Sequence, residues 1–383
     1  MITGTILAFS LNMQNDQLKA SAFFGEASEN RSEFKHIPAL DGMRGISVLA
    51  VMFYHLGFFV PEINPYASGG FMGVQLFFVL SGFLITSILL KEIGKTGGIN
   101  LKNFYWRRTL RLVPAFWAYL LVIYVSVGAI LPAAAAAKYD GYNFAAAFFY
   151  VMNWQFYFSE HNLVFLLIIT WSLAIEEQFY VFWGLTLAVM VKLKVSKNGL
   201  FFFTLGLIFL IILARNLRAL SGEPPHNLYH ATDTRIDAIL IGCVAAFVYM
   251  WRVPLNQKYF NRLAVLCTGA MAVCFAVYEY KQVETYITGL PLFSFSAAIL
   301  ILWFANKEKS FFHKLLENRP LRYVGEISYG LYLWNMLGIM ISDRFFDSKI
   351  MIAGGALVLT FCFAAFSFKF IERPFLKMKS RFS

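Results

Sequence analysis

Apolar residues follow one another in stretches of about twenty along almost the whole chain, and polar residues gather in the short gaps between them. The runs fall at 38–59, 71–91, 111–131, 143–158, 163–191, 199–217, 233–250, 262–279, 286–305, 325–342 and 350–371. Most approach the ~20 residues that a helix needs to cross a ~30 Å hydrocarbon core. The pattern predicts an all-α, polytopic integral membrane protein. Residues 1–35 differ, carrying the polar stretches QNDQLKASA and GEASENRSE. Their opening MITGTILAFSLNM has no basic n-region and no clear small-residue cleavage site, so the segment reads as a poorly ordered cytoplasmic leader rather than a signal peptide. Residues 36–377 then form the membrane domain and 378–383 a cytoplasmic tail.

Composition supports this reading and removes others. Of 383 residues, 59% are hydrophobic and only 14% charged, with a mean hydropathy of +0.60, which no soluble domain of this size requires. The net charge of +11 does not indicate nucleic acid, because the basic residues lie in short clusters between apolar runs rather than on one polar face. Those clusters are 91–111 (Lys91, Lys95, Lys102, Arg107, Arg108, Arg111), 192–197, 252–262, 307–322 and the tail from Lys369 to Arg381. The positive-inside rule places all five in the cytoplasm. Two of them, 91–111 and 192–197, are separated by three apolar runs, so one run must fail to cross. The segment 143–158 is short, rich in aromatics and interrupted by Asn153, Trp154 and Gln155, which predicts a re-entrant or interfacial piece on the outer side. Ten spanning helices and two cytoplasmic termini follow. Cys243, Cys267, Cys274 and Cys362 all lie in apolar runs without metal-type spacing, so neither a metal site nor a disulfide framework is expected. Nothing in the pattern sets an oligomeric state.

Ionisable residues inside such runs are costly and mark functional sites. Arg44 and His55 are separated by about three helical turns, so they share a face of the first helix some ~16 Å apart along it. Arg108 and Arg111 share a face at the start of the third run, where paired guanidiniums suit phosphate. Glu176 and Glu177 stand side by side in WSLAIEEQFY, and at ~100° per residue both cannot reach water. DTRIDAILIG supplies Arg235 and Asp237 near a helix start. The small residues Gly70, Gly73, Ser81 and Gly82 of the second run read first as close helix packing.

Taken in order, the motifs IPALDGMRGISVLAVMFYH, GVQLFFVLSGFLIT, FYWRRTLRLVPA, WSLAIEEQFY, TRIDAILIGC, ISYGLYLW and FIERPF resemble the membrane-bound acyltransferase 3 family over about residues 37–377. Members of that family O-acylate bacterial polysaccharides, lipopolysaccharide, Nod factors and macrolides. The resemblance implies a bacterial inner-membrane O-acyltransferase. Its donor is acetyl-CoA bound from the cytoplasm, and its acceptor is a hydroxyl of an extracytoplasmic or lipid-linked glycan. Carried onto this chain, Arg44 and His55 become the catalytic pair, with Glu176 or Glu177 binding acceptor hydroxyls or polarising His55. Arg108 and Arg111 contact CoA phosphates, and Phe77, Phe78, Ser81 and Gly82 line the donor channel. Trp171, Ser172, Arg235, Asp237, Tyr329 and Tyr332, from the remaining motifs, are the expected substrate-binding residues. Three positions depart from the family: Ile169 and Asn335 stand where histidine is common, and Gln75 where an acidic residue is common.

His55 is then a base toward a sugar hydroxyl or a transient acyl carrier, and Arg44 an orienting or charge-stabilising group. Acceptor specificity falls to the outer loops 132–165 and 215–232, with Trp154, Tyr157, His161, His226, Tyr229 and His230. A transporter or flippase of glycan or lipid-linked sugar is the competing class. It moves substrate without consuming an acyl donor.

Overall fold

The computed structural model describes residues 36–130, 141–158, 165–306 and 310–379. The leader, Lys138, His161, Lys307, Lys309 and Arg381 lie outside them. Among the described residues every regular element is helical. Ten helices are long: α1 Pro38–Leu56, α2 Met72–Thr96, α3 Leu101–Ile130, α4 Thr170–Lys192, α5 Lys197–Leu220, α6 Ile236–Met250, α7 Gln257–Val277, α8 Leu290–Asn306, α9 Ser328–Phe345 and α10 Lys349–Ser367. They coincide with ten of the eleven apolar runs.

The eleventh run breaks into two short helices, Gly141–Phe148 and Met152–Phe158, each too short to cross. The turn between them has Tyr150 at φ 56. It is held against the middle of the bundle, because Gln178 of α4 donates through Nε2 to Tyr150 O at 2.8 Å and to Asn153 Oδ1 at 2.9 Å. Backbone that is not helical is satisfied here by protein, as the hydrocarbon region demands.

Among the described residues seven helical stretches are long and apolar enough to span a membrane, and α6 is a shorter apolar helix. Helices α1 and α9 fall below that standard, because Arg44 and His55 interrupt one and Asn335, Asp343 and Arg344 the other. Both are largely buried instead, so His55 and Asn335 meet protein rather than lipid, while Asp343 and Arg344 are exposed at the end of α9. Helix α2 is the central element, whereas α5, α7 and α10 are peripheral and expose apolar side chains such as Phe202, Phe209, Leu266 and Val358.

Helices α2 and α6 pack at very close range although they are distant in sequence. A Cβ at Gly82 would run into the Ile239 carbonyl, and one at Gly242 into the Val79 carbonyl. This is the small-residue packing that lets two backbones approach in an apolar medium.

The helix ends form two poles. One gathers the start of α1, the end of α2 and the start of α3, with Gly325 of the short helix Arg319–Glu326 fitted against Asp41 O. This is the basic pole. At the other, Gly69 packs on Phe275 O at the end of α7, and Lys349 donates to Phe59 O at 3.3 Å. Pro114 interrupts α3 beside the basic pole and leaves the Leu110 carbonyl without its usual helical donor. Two residues earlier, Leu112 O accepts from the Tyr329 hydroxyl at 2.9 Å, which ties α9 to α3 at the distorted turn.

Candidate active site

Helices α1, α2, α3, α4 and α9 line a pocket that is open on one side. Its walls follow from helical spacing. Phe77, Ser81, Leu84 and Ile88 lie on one face of α2, and Ser172, Glu176 and Tyr180 on one face of α4. Phe78 and Gly82 are one position further along and turn toward α6, so neither lines the pocket. Trp171 and Glu177 are turned away on α4 for the same reason.

Three guanidiniums converge on this space, from Arg44, Arg108 and Arg111. Arg44 donates through Nη2 to Ser328 Oγ at 3.0 Å. Arg108 lies over the Tyr180 ring, 4.7 Å from its centroid. The Tyr180 hydroxyl donates to Glu176 Oε2 at 2.9 Å and receives the Ser81 hydroxyl at short range. Among the described residues none of the three arginines forms a direct ion pair with a carboxylate; Glu176 acts on Arg44 and Arg108 only from a distance. The pocket therefore holds an excess of fixed positive charge within walls that are mostly apolar, through Val74, Leu80, Leu112 and Leu173. Such a site suits a ligand with anionic groups and an apolar arm.

The pocket opens at the basic pole into a vestibule of about 1440 Å³, with Ile88, Arg108 and Arg111 belonging to both. Lys91, Lys95, Arg107 and Lys379 add to its lining, and among the described residues Glu92 is its one carboxylate. Glu92 is already engaged, by Arg107 Nη2 at 2.7 Å and Asn100 N at 2.6 Å. Lys379 feels the surplus: burial first, and then the charges of Arg111, Arg108 and Arg107, lower its ammonium to about 8.

At the inner end the pocket floor is polar. The Tyr332 hydroxyl donates to Ile169 O at 3.0 Å and lies 2.6 Å from Ser172 Oγ. Ile169, where a histidine would be common, contributes only its backbone there. One turn further along α9, Asn335 Oδ1 lies 2.6 Å from His55 Nδ1. His55 is 9% exposed and stands beyond the floor rather than in the pocket wall. Gln75 points away, donating to Ser294 Oγ of α8 at 2.6 Å.

Arg235 and Asp237 form a separate cluster at the opposite pole. The fully buried Arg235 guanidinium sits among the rings of Tyr229, Phe78 and Trp171, at 4.5, 5.7 and 5.8 Å from their centroids. Asp237 Oδ2 lies 2.8 Å from Arg215 Nη1, which aims its proton at Thr234 O at 2.7 Å, so the Arg215–Asp237 attraction is chiefly electrostatic. Tyr229 and His230 are buried in the same packing and present no free surface. Tyr180, four residues after Glu176 and so on its face, and Ser328, in the ISYGLYLW motif, carry no signal of their own in the sequence, and Lys379 stands there only as one of the tail's charges.

Comparisons with known proteins bear on the family. A family model described as an acyltransferase domain, that of the acyltransferase 3 family, matches residues 37–368. The peptidoglycan O-acetyltransferase OatA of Listeria monocytogenes is 33% identical over 357 residues, covering 90% of this chain and 56% of that protein. The Bacillus subtilis protein named "Putative peptidoglycan O-acetyltransferase YrhL" is 34% identical over 362 residues, covering 89% of this chain and 55% of its own length. The chain thus spans about half the length of the curated relatives it matches. No solved structure matches it. Across nearly all of its described membrane helices, the chain belongs to the acyltransferase 3 family.

Proposed function

We propose that the protein is a membrane O-acetyltransferase. It moves an acetyl group from acetyl-CoA, bound from the cytoplasm, to a hydroxyl of an extracytoplasmic or lipid-linked glycan. The observation that carries the reading is the convergence of Arg44, Arg108 and Arg111 on a largely apolar pocket that is continuous with a basic vestibule. The vestibule cations suit the phosphates of the donor, and the apolar walls suit its thioester arm. By the positive-inside rule the basic pole faces the cytoplasm of a bacterial inner membrane and both termini lie there. The names of the two relatives point to peptidoglycan as the class of acceptor.

In this reading the acceptor hydroxyl comes to His55 from the opposite pole. His55 takes its proton as the oxygen attacks the thioester carbonyl. The C–S bond breaks, and the proton passes to the departing sulfur, which leaves as free CoA thiol. Arg44, fixed by Ser328, is placed to hold and orient the donor in the pocket, several turns before His55, and Glu176 to hold an acceptor hydroxyl.

The test uses the purified full chain in lipid nanodiscs with labelled acetyl-CoA and soluble peptidoglycan fragments. Acetyl ester on the glycan and free CoA in equal amounts are expected. Movement of glycan across a sealed vesicle with the thioester intact would replace this reading with a transporter.

A further inference from the structure

The contact between His55 and Asn335 has a definite direction. Asn335 Nδ2 donates at short range to the Tyr332 backbone carbonyl, within its own helix. The amide is thereby turned so that Oδ1 faces the imidazole, 2.6 Å from Nδ1. A carbonyl oxygen can only accept, so the proton of a neutral His55 ring belongs on Nδ1 and the lone pair on Nε2. Nε2 has no hydrogen-bond partner among the described residues. Asn335 is itself completely buried, and its helix is pinned by Tyr332 to Ile169 and by Ser328 to Arg44. Ser328, Tyr332 and Asn335 recur at helical spacing, so one face of α9 holds both Arg44 and His55 of α1.

We propose that Asn335 is a positioning residue. It fixes the Nδ1–H tautomer of His55 and reserves Nε2 for the hydroxyl proton in acyl transfer. The inference rests on the reading of His55 as the base. An amide does this without placing a second charge in a buried helix pair, where a carboxylate would carry a desolvation cost. A histidine at 335 has two tautomers of its own and offers either a donor or an acceptor. Asparagine held by Tyr332 offers only the acceptor. When Nε2 takes the hydroxyl proton, Oδ1 continues to accept from Nδ1–H and so also supports the imidazolium.

The tautomer is read directly by ¹⁵N NMR of histidine-labelled protein in nanodiscs, with the His55 signals assigned by their loss in His55→Asn. The wild type is expected to show a protonated Nδ1 and an unprotonated Nε2, and Asn335→Leu a mixture or the reverse. Asn335→Asp, which retains an acceptor at that place, is expected to keep the Nδ1–H form. With acetyl-CoA and peptidoglycan fragments, Asn335→Leu should lower kcat on the order of 10²-fold while KM for acetyl-CoA stays within about twofold, and Asn335→Asp should recover most of the loss. A wild-type proton on Nε2, or an unchanged tautomer in Asn335→Leu, overturns the inference. If Asn335→Leu does not fold, the wild-type spectrum and Asn335→Asp still decide it. A shifted tautomer with unchanged turnover overturns the role of His55 as base instead, and with it the functional reading.

Discussion

Arg44 Nη2 and Ser328 Oγ meet at 3.0 Å, about three turns of α1 before His55 meets Asn335. Helices α1 and α9 therefore run side by side in the same direction, joined by two polar rungs at different depths. The first rung borders the pocket and the second lies behind its floor. A donor held by Arg44 and a hydroxyl activated at His55 would approach one another along this pair of helices.

Replacing His55 separates chemistry from structure. Among the described residues the imidazole makes one side-chain hydrogen bond, to Asn335, and its removal leaves the buried Asn335 Oδ1 unpaired at a cost of about 1–3 kcal/mol of stability. As a general base it contributes roughly 10²–10⁴ in rate. His55→Ala is expected to abolish glycan acetylation while leaving expression and membrane insertion intact. Near-normal acetyl ester on host peptidoglycan in that variant would remove His55 from the mechanism.

Removing the paired guanidiniums should act on donor binding. Charged hydrogen bonds contribute about 1.5–3 kcal/mol each, so Arg108→Ala or Arg111→Ala is expected to raise KM for acetyl-CoA about 10- to 100-fold. CoA should also protect the variants less against thermal unfolding. An unchanged KM in the double variant counts against phosphate contacts at these positions.

The helices and the shared face of Arg44 and His55 were legible from spacing alone, because both depend on local geometry. Their partners were not, since Ser328 and Asn335 are 284 and 280 residues away from them in sequence. The donor-channel motif shows the same boundary. GVQLFFVLSGFLIT identifies α2, yet adjacent Phe77 and Phe78 look alike until α6 is known to lie on one side of the helix and the pocket on the other. The sequence places Arg235 near a helix start, and only the fold reveals that it is buried among aromatic rings.

Close packing of α2 on α6 makes their glycines sensitive. Gly82→Leu or Gly242→Leu drives a side chain into a backbone carbonyl, which cannot rotate away. Overpacking of this kind costs about 1–3 kcal/mol or more. A lowered midpoint of thermal unfolding in detergent is expected for each. A midpoint equal to that of wild type would mean that the helices separate freely.

The Arg215–Asp237 pair makes a different stability prediction. Both side chains are fully buried, so Asp237→Ala leaves a guanidinium uncompensated at a cost of about 3–5 kcal/mol. Removing both charges, as Arg215→Met with Asp237→Leu, should cost much less than the single change. Equal losses in the single and double variants would show that the carboxylate does not compensate Arg215.

Lys379 sets a pH dependence for donor binding, and its sign follows from the vestibule. In the free protein burial and the neighbouring Arg111, Arg108 and Arg107 hold the ammonium at about 8. A polyanionic donor supplies the missing negative charge and raises it, so the bound state takes up a proton wherever the free state has lost one. Below about pH 8 Lys379 is charged in both states and affinity for acetyl-CoA should be flat with respect to this group. Above it, affinity should fall, approaching about tenfold per pH unit until the bound-state value is reached. Lys379→Arg keeps the charge at every accessible pH, so it should retain affinity and lose that decline. Lys379→Met should bind more weakly at pH 7 and also lack it. Titration of acetyl-CoA binding to the three proteins between pH 6.5 and 9.5 checks this, and a decline that persists in Lys379→Arg assigns the proton to another group.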